Sequence, residues 1–193
     1  MERKAVLHLL IKLFPLYIAI LLLWQFAGIS RWYHELVAGA LEWGYALLNG
    51  GGPVKGVDVK DGEFLVKLLV AGKKLPLFIT AEDITSNMAM LLTLYAASPI
   101  RPHGRSFVRF LLWSLGILFV IHVCTAAAQI QYAMMTNQVI MRFCPASALS
   151  LKMIPIYINF YTLIGMYLFI LGLWLPYITM VVLRNRRPHA TRR

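Results

Sequence analysis

The second half of this chain lacks carboxylate side chains. Asp83 is the last of eight acidic residues, and none follows it over residues 84–193. Charged residues make up only 14% of the chain, against roughly 25% in a soluble globular domain. Hydrophobic residues make up 60%, which leaves too little polar surface to cover the protein in water. The composition therefore excludes an ordinary soluble enzyme and indicates a membrane protein.

Basic residues outnumber acidic ones by 19 to 8, but their placement does not indicate nucleic-acid binding. They gather in clusters at residues 3–4, 101–109 and 184–193, with long apolar runs between them. A nucleic-acid-binding protein would instead interleave basic residues with a foldable soluble domain. Clusters at the ends of apolar runs are typical of the cytoplasmic flanks of spanning helices. We therefore predict the lipid bilayer as a partner and no nucleic acid.

Four apolar runs are candidate transmembrane helices, since about 20 residues cross roughly 30 Å of hydrocarbon. They cover residues 5–29, 84–100, 107–130 and 156–183. The first run exceeds the core of a signal peptide, so we expect a retained anchor. Because Lys- and Arg-rich flanks stay in the cytoplasm, both termini and the turn at 101–106 are predicted to lie inside. The predicted fold is an α-helical integral membrane protein with four spans.

The predicted organisation divides the chain at the ends of these spans. Residues 1–29 hold the cytoplasmic N-terminus and the first span, and 84–130 hold the second and third. Residues 131–155 form an external loop, 156–183 the fourth span and 184–193 a basic cytoplasmic tail.

Residues 30–83 are predicted to form a small external segment between the first two spans. At 31–48, apolar residues recur at helical spacing among polar ones, which is typical of an amphipathic helix on a membrane surface. Strand-like runs at 54–60 and 63–70 then flank Asp61-Gly62, a strong hairpin signal. A further run follows at 75–80, so we predict a two- or three-stranded β-meander that leads into the second span.

Two cysteines and one intramembrane histidine are the main candidates for chemistry. Cys124 lies in the third predicted span and Cys144 in the external loop. A buried thiol and a loop thiol are the favoured interpretation, and a disulfide between them is the alternative. Ionisable groups within a membrane are functional candidates by default. For His122 we favour neutral hydrogen bonds between helices, with Gln129, Asn159, a hydroxyl or an external acid as partner.

Other signals of a binding or catalytic site are few. Gly165 and Gly172 lie seven residues apart on one face of the last predicted span, where small residues would let another helix approach closely. Metal-ligand spacing, a phosphate-binding glycine loop and a Ser-x-x-Lys pair are all missing. We therefore predict no metal, no cofactor and no enzymatic activity.

One stretch has a more specific order of elements, over residues 56 to about 131. A strand pair with a glycine turn precedes an apolar strand, the sequence Ile84-Thr85-Ser86-Asn87, a helix, a basic turn and a returning helix. This order resembles the core of the exosortase/archaeosortase family, multi-span proteases or transpeptidases that process C-terminal sorting signals. The resemblance implies a Cys-Ser-Gly motif at the mouth of a span, an Asn-x-x-Arg element after the next and a histidine further on.

The catalytic residues implied by this resemblance are missing. Ser86 matches the serine of the motif, but Thr85 stands at the position of the nucleophilic cysteine and Asn87 at that of the glycine. Where the arginine would fall, Gln129 lies among uncharged residues, and no histidine follows His122 before the cytoplasmic tail. A thiolate, a cation for the oxyanion and a general acid or base are thus absent together.

The chain therefore looks most like the exosortase-associated membrane proteins, small companions of sorting enzymes. The resemblance implies a non-catalytic accessory protein, in effect a pseudoenzyme, of the bacterial inner membrane that packs on a sorting enzyme or its substrates. Two alternatives stay open. One is a structural or assembly subunit of another envelope complex, for secretion or polysaccharide export. The other is a divergent membrane-embedded thiol protease or transpeptidase.

Overall fold

The computed structural model describes residues 3–48, 52–98 and 104–185, which are mostly helical with one small antiparallel sheet. The elements in chain order are α1 (Arg3–Phe26), α2 (Ile29–Leu48), β1 (Val54–Lys60), β2 (Glu63–Val70), β3 (Lys73–Thr80), α3 (Glu82–Thr85), α4 (Asn87–Ala97), α5 (Gly104–Thr136), α6 (Gln138–Phe143), α7 (Ala148–Phe160), a π-helical turn (Tyr161–Gly165) and α8 (Met166–Asn185).

Two helices are long and apolar enough to cross a membrane. One is α5, with 33 residues, and the other is the continuous helix through α7, the π-turn and α8, with 34 residues in Ala148–Val181. At 1.5 Å per residue each is about 50 Å long, against roughly 30 Å of hydrocarbon. Large apolar side chains on them, such as Trp113, Val120 and Leu163, are exposed. These features indicate a membrane protein.

A third span is present if α1 and α2 are counted together as one bent pair. Their segments Ile11–Phe26 and Ile29–Leu47 meet at 65°. Gly28 at the bend has a φ of +70°, a conformation that glycine adopts without steric cost. The bend falls where the sequence predicted the first span to give way to an amphipathic helix.

The second predicted span is shorter in the structure than its sequence suggested. Helix α4 has 11 residues, and only the single turn of α3 precedes it. Even as one straight helix, residues 82–97 would rise about 24 Å, less than the roughly 30 Å of the hydrocarbon. The end of that predicted span and residues 101–103 of the basic turn lie outside the described residues. By length, the structure establishes two or three spans.

Helix α4 lies between α1, α5 and α8, and polar groups link it to two of them. The Tyr95 hydroxyl is 2.7 Å from Oγ of Ser114 on α5. On the other side, the indole N–H of Trp174 donates to Oγ of Ser98 at 2.8 Å. These bonds between neutral groups join helices without placing a charge in the hydrocarbon.

The predicted β-meander is confirmed as a three-stranded antiparallel sheet in the order β1-β2-β3. Both turns are two residues long, and Asp61 and Gly62 in the first have φ values of 51° and 80°, as a type I′ turn requires. Alternate residues of β2 are buried, and these are Phe64, Val66, Leu68 and Val70. Their face points to the core, where β1 packs on α2.

The opposite face of the sheet is exposed. It carries the ion pair of Lys67 with Asp58, and the hydrogen bond and charge of that carboxylate raise the pKa of the Lys67 ammonium. Pro76 lies in the middle of the edge strand β3. Because proline has no N–H to offer a further strand, it protects this edge from pairing with another chain.

The π-helical turn interrupts the last helix at a glycine. A Cβ on Gly165 would lie 3.0 Å from Cε1 of Phe160 and 3.2 Å from the Phe160 carbonyl oxygen. The second atom is backbone and cannot move aside cheaply, so this tight turn favours glycine. The turn directs Tyr161 into the bundle, where its side chain is buried.

Candidate functional site

Six polar side chains lie buried where α2, α3, α4, α5 and the π-turn meet. We call them the polar cluster, and its members are Tyr33, His34, Thr85, Asn87, His122 and Tyr161. No carboxylate, lysine or arginine is among them. The cluster is therefore a neutral polar centre, unless one of its two histidines is protonated.

Four of these side chains form one continuous hydrogen-bond chain. The Tyr161 hydroxyl donates to the carbonyl oxygen of Ile84 at 2.9 Å and accepts from Nδ2 of Asn87 at 3.1 Å. Oδ1 of Asn87 lies 2.6 Å from Nε2 of His122. Nδ1 of His122 lies 2.7 Å from the Tyr33 hydroxyl. The chain links α2, α4, α5 and the π-turn.

The direction of this chain follows from its last acceptor, because a carbonyl oxygen cannot donate. Tyr161 gives its proton to Ile84 and must accept from the amide of Asn87. The amide oxygen of Asn87 then accepts the Nε2 proton of His122. Nδ1 of His122 is left to accept from the Tyr33 hydroxyl. His122 is thus held as the neutral Nε2–H tautomer, with both ring nitrogens bonded.

A second pair, His34 and Thr85, lies beside the chain. Nε2 of His34 is 2.7 Å from Oγ1 of Thr85, which donates to the carbonyl oxygen of Ala81 at 3.0 Å. Because the threonine proton is directed at Ala81, Nε2 of His34 must donate to Thr85 and does not act as its base. Thr85 is also 0% exposed. A substrate therefore has no access to this hydroxyl, and the histidine does not activate it.

The structure brings some of the predicted site residues together and separates others. Thr85 and Asn87 lie in the polar cluster with His122, whereas Ser86 is exposed. His122 forms neutral hydrogen bonds between helices, as the sequence favoured, and one partner is a hydroxyl. Its amide partner is Asn87 rather than Gln129 or Asn159. Neither of those two side chains enters a hydrogen bond with another described residue.

The two glycines of the last span are also separated. Gly165 is buried within the π-turn, while Gly172 is exposed, with no atom within 4 Å of a Cβ built on it. Gly172 follows in the regular helix α8, beyond the contact with Phe160 that surrounds Gly165.

Both cysteines are free thiols outside the polar cluster. Cys124 is exposed on α5 and Cys144 is half-buried after α6. The exposure of Cys124 differs from the buried thiol that the sequence favoured. The disulfide that the sequence left open is not formed in this structure.

Three members of the polar cluster were not predicted to belong to a site. His34 falls among the polar residues of the predicted amphipathic helix, and Tyr161 falls within the fourth predicted span at 156–183. A signal for Tyr33 exists, since Tyr33, Val37 and Leu41 recur every four residues and all three are buried. For Tyr161 no such signal exists, because its position depends on the π-turn.

The polar cluster offers no open position for a metal or cofactor. Among the described residues, no group of three or more His, Cys, Asp or Glu side chains could hold a metal ion. In the same part of the chain, every buried side-chain nitrogen and oxygen has a hydrogen-bond partner. The arrangement can hold helices in register.

The chain matches no protein-family model, no curated protein and no solved structure.

Proposed function

We propose that this chain is a non-catalytic accessory protein of the bacterial inner membrane that packs on a partner sorting enzyme or its substrates, as exosortase-associated proteins do. The proposal rests on the burial and hydrogen bonding of Thr85 and Asn87, which stand at two positions of the catalytic motif. Thr85 is buried and bonded to His34 and Ala81, while Asn87 joins His122 to Tyr161. Catalysis requires a nucleophile within reach of the substrate and a group free to exchange a proton. At these positions both roles are blocked.

The proposed topology has four spans, with both termini in the cytoplasm. Helix α5 and the helix through α7 and α8 supply two spans, and α1 a third. The fourth is the short α3–α4 segment, whose outer end α2 and the sheet would cover. Arg105 and Arg109 at the start of α5 mark the cytoplasmic end under the positive-inside rule. The two- or three-span count by length is compatible with this topology because α3–α4 is too short to be counted.

The proposed surface for the partner is an apolar groove between α2 and α5. Small residues line much of it, including Ala40, Gly44, Ala127 and Ala128. Interfaces between helices of membrane proteins are rich in small residues, which let the helix backbones approach closely. A helix of the partner enzyme is therefore the proposed occupant.

Co-purification from native membranes in mild detergent tests the proposal. The tagged chain is expected to recover a multi-span protein with an intact thiol-protease motif. Gly44→Leu fills the groove and should reduce this recovery several-fold. Gly172→Leu is the matched control, because both glycines have open space where a side chain would begin. It should leave recovery unchanged.

Other outcomes would contradict the proposal. Repeated recovery of the chain alone would count against a partner. Recovery of secretion or export components would favour the envelope-assembly role. Labelling of Cys124 or Cys144 by an active-site-directed thiol probe would favour the protease alternative.

A further inference from the structure

A polar cavity of about 440 Å³ lies between the first turn of α2, the β1–β2 turn and the start of α3. Its polar lining consists of Ser30, Arg31, His34, Lys60, Asp61 and Glu82. This volume falls within the range of small-ligand sites, roughly 300–1,000 Å³. Only His34 is shared with the polar cluster, so the cavity is a separate feature of the molecule.

The lining presents two cations and two carboxylates. Arg31 pairs with Glu35 at 3.1 Å on an exposed side of α2. Among the described residues, Lys60, Asp61 and Glu82 form no ion pair. Lys60, Asp61 and Glu82 therefore remain available to a ligand that carries both signs, and Arg31 keeps guanidinium N–H groups beyond the one that contacts Glu35.

His34 contributes a hydrogen-bond acceptor to the cavity wall. Its Nε2 donates to Thr85, so Nδ1 of the neutral ring is an acceptor. The residue is only 2% exposed, and Nδ1 has no partner among the described residues. His34 lines the cavity, and Nδ1 is the ring nitrogen left to accept a hydrogen bond from a ligand.

The cavity lies next to the point where the chain turns away from α1. That helix ends at Phe26, and Ser30 and Arg31 follow within one turn of the bend at Gly28. If α1 spans the bilayer, this bend lies at the level of the lipid headgroups, since a 24-residue helix is about 36 Å long. A headgroup can thus reach the cavity from the side.

We propose that this cavity binds a phosphate ester that carries a primary ammonium, the chemistry of the phosphatidylethanolamine headgroup. Arg31 and Lys60 hold the phosphate through charge-assisted hydrogen bonds. Nδ1 of His34 and the carboxylates of Asp61 and Glu82 accept the ammonium N–H groups. A trimethylammonium has no N–H to donate, so phosphatidylcholine lacks half of the recognition. The inference does not depend on the partner protein proposed above.

Thermal unfolding of the purified full-length chain in maltoside detergent tests this inference. Short-chain phosphatidylethanolamine is added in one arm, and the phosphatidylcholine and phosphatidylglycerol of equal chain length in two others. Only phosphatidylethanolamine should raise the Tm by several degrees. An equal rise with either other lipid, or no rise with any, would overturn the proposal. Soluble phosphoethanolamine in a fourth arm distinguishes a free ligand from a lipid. A rise in Tm equal to that with phosphatidylethanolamine would indicate a free ligand, and no rise would indicate a lipid.

Charge-neutralising variants locate the binding at the cavity. Glu82→Gln and Lys60→Gln should each weaken phosphatidylethanolamine binding by about tenfold, since each removes one charge-assisted contact. Asp83→Asn and Lys74→Gln are matched controls, because these exposed charges do not line the cavity. The controls should bind as the unmodified chain does. Undiminished binding by both cavity variants would place the lipid elsewhere and overturn the assignment.

Discussion

Nε2 of His122 donates a 2.6 Å hydrogen bond to Oδ1 of Asn87, joining α5 to α4 in the interior of the bundle. The sequence resemblance places a glycine of a catalytic motif at the position of Asn87, and a glycine could not form this bond. The amide also extends the contact to Tyr161. In this chain the position therefore serves the packing of helices against one another.

Asn87→Ala should lower the free energy of unfolding by about 1–3 kcal/mol, because His122 and Tyr161 each lose a buried partner. Unfolding in mixed micelles with increasing SDS measures the change. Asn159→Ala is the matched control, since this asparagine is exposed, and its effect should stay below about 0.5 kcal/mol. Equal effects of the two substitutions would show that the hydrogen-bond chain adds no stability.

Tyr161→Phe should destabilise the protein by about 1–2 kcal/mol, because the bonds to Asn87 and Ile84 both disappear. Tyr167→Phe, at a half-exposed tyrosine of α8, should have little effect. The double variant with Tyr161→Phe and Asn87→Ala should lose clearly less free energy of unfolding than the sum of the two single variants, since both substitutions interrupt one hydrogen-bond chain. Strict additivity in this double-mutant cycle would contradict a continuous chain.

Gly165→Ala should destabilise the protein by about 1–3 kcal/mol, because its Cβ would collide with Phe160 and force the π-turn to shift. A Cβ at Gly172 would meet no other atom within 4 Å. Gly172→Ala should therefore leave the stability unchanged or raise it by up to about 1 kcal/mol, the difference in helix propensity between the two residues. The same unfolding measurement compares them. A neutral Gly165→Ala would mean that the turn does not need glycine.

Cys124 and Cys144 should both react with a maleimide in denatured protein without prior reduction, because both are free thiols. Intact mass then shows two adducts. Labelling that appears only after reduction would reveal the disulfide that the structure lacks. Replacing Cys144 by alanine should leave recovery of the partner unchanged, since this thiol does not line the groove between α2 and α5.

The external sheet could be predicted almost residue by residue. The predicted runs 54–60 and 63–70 match β1 and β2, and the third begins only two residues later than β3. The Asp61-Gly62 turn and the burial of every second residue of β2 determine this pairing locally, since a one-residue slip would expose the buried side of β2. The information therefore lies within a short segment of sequence.

The second span and the polar cluster could be predicted only in part. Hydropathy averages composition over a window, so it could not show that the helix is short and interrupted next to Ser86. Tyr33 and His122 are 89 residues apart in sequence, and no local pattern relates them. The π-turn has the same composition as the helix around it, so the burial of Tyr161 could not be predicted.

The length of the two spanning helices has a consequence for what lies outside the hydrocarbon. Each exceeds the hydrocarbon by about 20 Å, and Arg105 and Arg109 place the cytoplasmic boundary near the start of α5 under the proposed topology. The excess then lies at the opposite end, where α6 connects the two helices near the exposed Arg142 and Lys152. Under this topology the excess would form a helical extension on the outer side of the membrane. Such an extension would hold a partner domain at a set height above the bilayer, without a flexible linker.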